Sequence, residues 1–256
     1  MTQREKSKTI LKRIFSVTED AASNEEIRDR LLSGGKVTGT NMIVMMCAII
    51  IASVGLNTDS VAVIIGAMLI SPLMGSILAM SYAAVTADTG LMKKHAIGFG
   101  FQILVSIGTA IVFFLLSPAK GVTAQLAART EPTFFDVLVA TAGGVAGIVG
   151  QTRQDKANNI IPGVAIATAL MPPLCTCGYS IAAGNPRMLG GALYLFIINT
   201  YFIFMSGALV LSILNVPKVR NISPQRWKRV RARMWINTIL ITAPSIAALF
   251  AIYSSR

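Results

Sequence analysis

The chain has 256 residues, of which 54% are Ala, Val, Ile, Leu, Met, Phe, Trp, Tyr or Cys and only 13% are charged, about half the charged share of an ordinary soluble domain. That excludes a water-soluble enzyme and a disordered chain, and three Cys are too few and odd in number for a disulfide scaffold. What remains is an all-α polytopic membrane protein. Its formal charge of +12 is concentrated in residues 1–36 and between Lys218 and Arg233, with no Lys or Arg inside the apolar segments. Such juxtamembrane charge points to anionic lipid at the inner leaflet as a partner, and not to nucleic acid.

In chain order, residues 1–41 form a basic N-terminal segment on the cytoplasmic side. Ile10, Leu11, Ile14 and Phe15 alternate with Lys8, Lys12 and Arg13 at the spacing of a basic amphipathic helix, lying on the leaflet or docked to the protein. Ser23 and Glu26 form a capping-box pattern that predicts a short helix over Glu25–Leu32, closed by Gly34-Gly35. The first apolar run starts only at Met42, too far in for a cleaved signal, so it reads as a retained span.

A spanning helix needs about 20 mostly apolar residues, and seven candidates follow. They are Met42–Leu56 (short unless Thr38–Asn41 join it), Val61–Val85, Ala96–Leu116, Phe134–Gly150, Ile160–Ala183, Met188–Leu214 and Ile236–Tyr253. Residues 42–116 and 134–214 make two groups of three. A basic cytoplasmic loop, 215–235, and a final helix, 236–256, follow. With the N-terminus inside, 19 of the 23 Lys and Arg fall on the cytoplasmic side, which predicts an inner-membrane protein with its N-terminus in and its C-terminus out. If the second and fifth segments were re-entrant hairpins the division would be 17 to 6, so length favours full spans more than charge does.

The most informative feature is an internal repeat. A shift of 101 residues places Asn57 on Asn158, Thr58 on Asn159, Val63 on Val164, Ile65 on Ile166, Leu69 on Leu170, Pro72 on Pro173 and Leu73 on Leu174. Three spans per half would invert the second copy, as in many secondary transporters. Pro72 and Pro173 lack a backbone N–H and crowd the preceding turn. Each falls about 11 to 13 residues into its segment, near the midplane at ~1.5 Å per residue. A helix break there predicts two half-helix N-termini converging on an anion or on the anionic end of a zwitterion; the plain alternative is two packing kinks. Ser71, Pro72, Pro172 and Pro173 frame the breaks, with hydroxyls from Ser76, Thr168 and Thr176 beside them. Asn57, Thr58, Asp59, Asn158 and Asn159 precede the broken segments, as solute ligands or simply as helix caps.

The remaining features read as structural. Ala140, Gly143, Gly144, Gly147 and Gly150 permit close helix approach, inside the bundle or in a homo-oligomer. Cys175 and Cys177, with His95 remote, do not make a metal site. Asn199 and Thr200 suit hydrogen bonds across helices. No phosphate loop or hydrolase motif is present, so neither a cofactor nor an enzymatic activity is expected. The expected function is a secondary transporter or facilitator of a small, anionic solute. A passive channel and a non-transporting scaffold or sensor are the alternatives.

The segments GLNTDSVAVIIGAMLISPLMGSILAMSY (Gly55–Tyr82) and GVAIATALMPPL (Gly163–Leu174) resemble the family of prokaryotic hydrophobic membrane proteins designated domain of unknown function 389, over roughly Asn41–Gly184. The resemblance implies a multi-pass inner-membrane protein and lends no substrate.

Overall fold

The computed structural model describes residues 21–119, 121–154 and 160–218, the stretch 160–169 by its backbone alone. The amphipathic segment over Ile10–Phe15, Asn158 and Asn159, and the seventh span with the basic loop from residue 219 onward lie outside the described residues.

The first helix, α1 (Asn24–Gly34), starts where the capping pattern predicts. Ser23 Oγ accepts from Glu26 N at 3.2 Å, Glu25 and Glu26 sit at the positive end of the helix, and Ile27 and Leu31 turn inward. After a short turn, α2 (Gly39–Asn57) begins on a Thr38 cap, so the residues before Met42 do join the first span. The second segment splits into α3 (Val61–Leu69) and α4 (Leu73–Val85), bent by 51°. The cause is local. Pro72 has no N–H to offer Met68 O, and that carbonyl takes Ser71 N at 3.3 Å instead, while Ile70 N bonds Ala67 O. The helix tightens to three-residue bonds and stops.

α5 (Thr89–Leu116) is two turns longer than the apolar run it contains. Its start is set by the Asp88 cap on Leu91 N at 2.9 Å. Lys93 and Lys94 point outward, and buried His95 donates from Nδ1 to Gly35 O at 3.1 Å. A single turn, α6 (Ala124–Ala127), precedes α7 (Phe134–Thr152), which opens with a Thr133/Asp136 capping box. α8 (Ile160–Ala182) and α9 (Pro186–Ile213, capped by Asn185) complete the described bundle.

The prolines of α8 correct the expectation of two broken helices: α8 runs without interruption through Pro172 and Pro173. It is the central helix, packed against α2, α3, α4, α5, α7 and α9, and every residue from Leu170 to Ser180 is buried. Confinement on all sides holds the backbone helical although two carbonyls, of residues 168 and 169, have lost their usual donors.

The helices alternate between two ends of the bundle. One end holds α1, the start of α5 beside Gly35, and the end of α7, where Ala22 N bonds Thr152 O at 2.7 Å and Arg30 reaches the Gln151 and Arg153 carbonyls. The far end holds the α2–α3 turn and α6, joined by Thr123 Oγ1 to Leu56 O at 2.6 Å and by Gln125 N to Asp59 Oδ1 at 2.9 Å. The second segment therefore runs from end to end. Two of the turns share one construction. Ala87 (φ 60°) and Gly184 (φ 64°) adopt the left-handed conformation. The next residues, Asp88 and Asn185, bond back to Ala83 O and Ser180 O and cap 28-residue helices.

Four described helices, α2, α5, α7 and α9, are long and apolar enough to cross a membrane, and the bent α3–α4 pair is a fifth if counted as one span. Ile97, Leu104 and Leu116 are 75%, 71% and 79% exposed, as hydrocarbon-facing side chains are. The chain is a helical membrane protein. In that setting helices associate through close packing. Gly144 meets Ile203 and Ser206 of α9, and Ala140, Gly143, Gly144, Gly147 and Gly150 are all buried, so this stripe serves internal packing. Gly75 of α4 crosses directly over Gly34, and a Cβ there would run into the Gly34 carbonyl. Gly75→Ala is expected to destabilise by about 1–3 kcal/mol. Gly66→Ala, at a glycine with no such neighbour within 4 Å, is expected to stay within about 0.5 kcal/mol. Thermal unfolding in detergent compares the two.

Candidate functional site

The break at Ile70–Pro72 lies between two cavities, one in each half of the bundle. On the α1 side, Ser71, Pro72, Met74, Gly75 and Leu78 form one wall of a space of about 380 Å³, facing Arg30, Leu31, Ser33 and Gly34 of α1 and Gln151 of α7. The Ser71 hydroxyl is buried without a hydrogen-bond partner. Arg30 is already committed, to Glu26 and to the α7 carbonyls, so this cavity offers polar groups and little free charge.

The second cavity, about 280 Å³, is on the far side of the break. Val61, Ile64, Ile65 and Met68 of α3 form its apolar wall, with Val139 and Leu195. Pro173 closes its inner end beside Asn199, and Gln125, Arg129 and Asp136 give it polar groups toward the far end. Arg129 is partly buried, with its Nε out of contact with water and without a hydrogen-bond partner. Burial lowers its pKa from the ordinary guanidinium value, and the Asp136 carboxylate raises it. Asp136 in turn is held by its capping role: Oδ2 accepts from Thr133 N at 2.6 Å and from Thr133 Oγ1 at 2.8 Å.

The residues selected from sequence divide between these places. Ser71 and Pro72 line the first cavity and Pro173 the second. Met68 and Ser71, three positions apart, face opposite cavities. Pro172 is buried in α8. Ser76 is buried and donates to Gln102 Oε1 at 2.8 Å, and Thr176 donates to Pro172 O at 2.9 Å. Both hydroxyls thus serve the protein's own polar atoms. The side chain of Thr168 is outside the described set, as are Asn158 and Asn159.

Asn57 and Asp59 act as a fastening at the far end, while Thr58 bonds within its own helix. Asn57 Nδ2 donates to Ser117 Oγ at 2.6 Å, Thr58 Oγ1 donates to Val54 O at 2.9 Å, and Asp59, at φ 55°, holds the Gln125 amide. Arg129, Asp136 and Gln125 were not among the residues that sequence reasoning selected. Asp136 carried a signal: it is an acid inside the apolar segment Phe134–Gly150, three residues after Thr133. Arg129 carried none beyond its charge.

Residues 68–205 match the family model described as "Domain of unknown function (DUF389)". The chain is also 30% identical over 214 residues to a protein of the archaeon Methanocaldococcus jannaschii described as uncharacterized protein MJ0678, an alignment covering 83% of this chain and 64% of that one. The chain thus spans about two thirds of that relative's length. No solved structure matches. The matched region contains the helix break, α4, α5, α7, α8 and most of α9, and the chain belongs to the domain of unknown function 389 family.

Proposed function

We propose that the chain is a carrier or facilitator of a small solute in the cytoplasmic membrane, with the flexible point at the α3–α4 break. The carrying observation is the pair of cavities on opposite sides of that break, separated along the chain only by Met68 to Ser71. A rearrangement at one proline-interrupted turn is enough to change which cavity meets the midplane, as alternating access requires.

An inverted repeat is part of this proposal. It is supported by helix lengths of 19 and 28 residues in α2 and α5, repeated as 19 and 28 in α7 and α9, and by the matching left-handed turns that start both longer helices. The repeat is imperfect at its centre, where one copy bends and the other runs straight. Orientation follows the charges. Lys36, Lys93, Lys94, Arg153 and Lys218 lie at the α1 end and Arg129 and Arg187 at the far end, which favours a cytoplasmic α1 end facing anionic lipid. A re-entrant layout would separate Lys93 and Arg153 from Lys36, yet all three share one end of the bundle.

Two measurements test this. Pro72→Ala restores the missing donor, and in proteoliposomes it is expected to keep the fold but lower saturable uptake, across a panel of labelled organic and amino acids, at least tenfold. Unchanged uptake would remove the break from the mechanism, and stepwise currents in a planar bilayer would indicate a channel instead. For orientation, single Cys residues replacing Lys93, Arg153 or Arg187 are introduced after removal of Cys47, Cys175 and Cys177. An impermeant thiol reagent added to intact cells is expected to label only the Arg187 position. Labelling at Lys93 or Arg153 would reverse or refold the topology.

A further inference from the structure

Arg129 and Asp136 stand on the same cavity with opposite charges, close enough for the carboxylate to act on the guanidinium, yet no ion pair joins them. Each keeps hydrogen-bonding capacity. Arg129 Nε is buried and unpartnered, and the bonds that Asp136 accepts from Thr133 both fall on Oδ2, leaving Oδ1 for another donor. Between and beyond them the wall is apolar: Ile64, Met68 and Leu195.

These features discriminate among solutes. A simple anion would meet Arg129 favourably and Asp136 unfavourably, and a simple cation would meet the reverse. A neutral apolar solute would leave a buried guanidinium nitrogen without an acceptor, which is costly. A solute with both charges satisfies both residues at once and covers its apolar part with the α3 wall. The size is consistent with this. A 150 Å³ cavity accommodates benzene, so about 280 Å³ accommodates roughly eleven non-hydrogen atoms by the same ratio. We propose that the far-side cavity binds a small zwitterion of the amino-acid class, its carboxylate on Arg129, its ammonium group on Asp136 and its apolar side chain against α3.

The inference rests on the reading of this cavity as the solute site, and its test is separable from transport. Three probes of matched shape are titrated into the purified full chain in detergent, with binding followed by calorimetry: L-leucine, 4-methylpentanoate, which lacks the amine, and 3-methylbutylamine, which lacks the carboxylate. Leucine is expected to bind at least tenfold more tightly than either analogue. Arg129→Gln is expected to abolish the advantage of leucine over the amine, and Asp136→Asn its advantage over the carboxylate. Asp136→Asn also weakens the α7 cap, so the ratio between probes is the readout, which a weakened helix end does not invert.

Equal binding of leucine and 4-methylpentanoate to the unaltered chain overturns the proposal, as does binding of none of the three, or an unchanged rank order in both variants. Leucine binding with the expected ratios but without uptake into vesicles keeps the zwitterion site and removes the carrier function. Saturable uptake of solutes without any preference for the doubly charged probe keeps the carrier function and removes this assignment.

Discussion

The burial of α8 is the constraint on which the rest of the bundle depends. From Leu170 to Ser180 no side chain reaches the surface, and six other helices contact it. Lipid chains are as apolar as leucine, so the hydrophobic effect does not by itself drive such a helix to the centre of a bundle; close contact and internal polar satisfaction do. Small residues provide the contact, as where Gly178 of α8 meets Ala110 of α5. Self-contained hydroxyls provide the satisfaction: Thr176 and Ser180 both donate to carbonyls one turn back. A helix enclosed in this way tolerates two adjacent prolines, because the neighbours leave it no room to bend away.

The contrast with the second segment follows from the same physics. Pro72 has a counterpart in Pro173 by sequence register, but α3 carries exposed Val61, Ile65 and Leu69 and has less to confine it. There the missing N–H ends the helix, and the chain restarts at an angle. One element of a sequence pair is thus bent and the other straight, and the difference lies in how far their neighbours confine them.

How much was legible beforehand depends on whether the determining interaction is local. The α1 cap and the bend at Pro72 follow from neighbours within a few residues, and they stand where the sequence places them. The continuity of α8 does not, since an isolated Pro-Pro pair favours interruption and only tertiary confinement overrides it. The start of α5 also escaped hydropathy, because an Asp88 cap rather than the first apolar residue begins the helix. Of the cavity-lining residues, Pro72 and Pro173 were selected by register and Ser71 as the neighbour of Pro72. Arg129 and Asp136 lie on opposite sides of a proline-containing turn, and no spacing rule brings a loop guanidinium to a helix-cap carboxylate. Asn57 and Asp59 were legible as polar but not as a clasp, because their partners are 60 and 66 residues away.

The crossing of Gly34 over Gly75 has a consequence for how α1 is held. α1 is anchored at its middle to the end of α7 through Arg30 and pressed at its tip against α4 with no side chain between the two backbones. The short helix is thus seated on two neighbours at once, and a side chain added at Gly75 would have to lift its tip away from α4 while Arg30 still held its middle to α7.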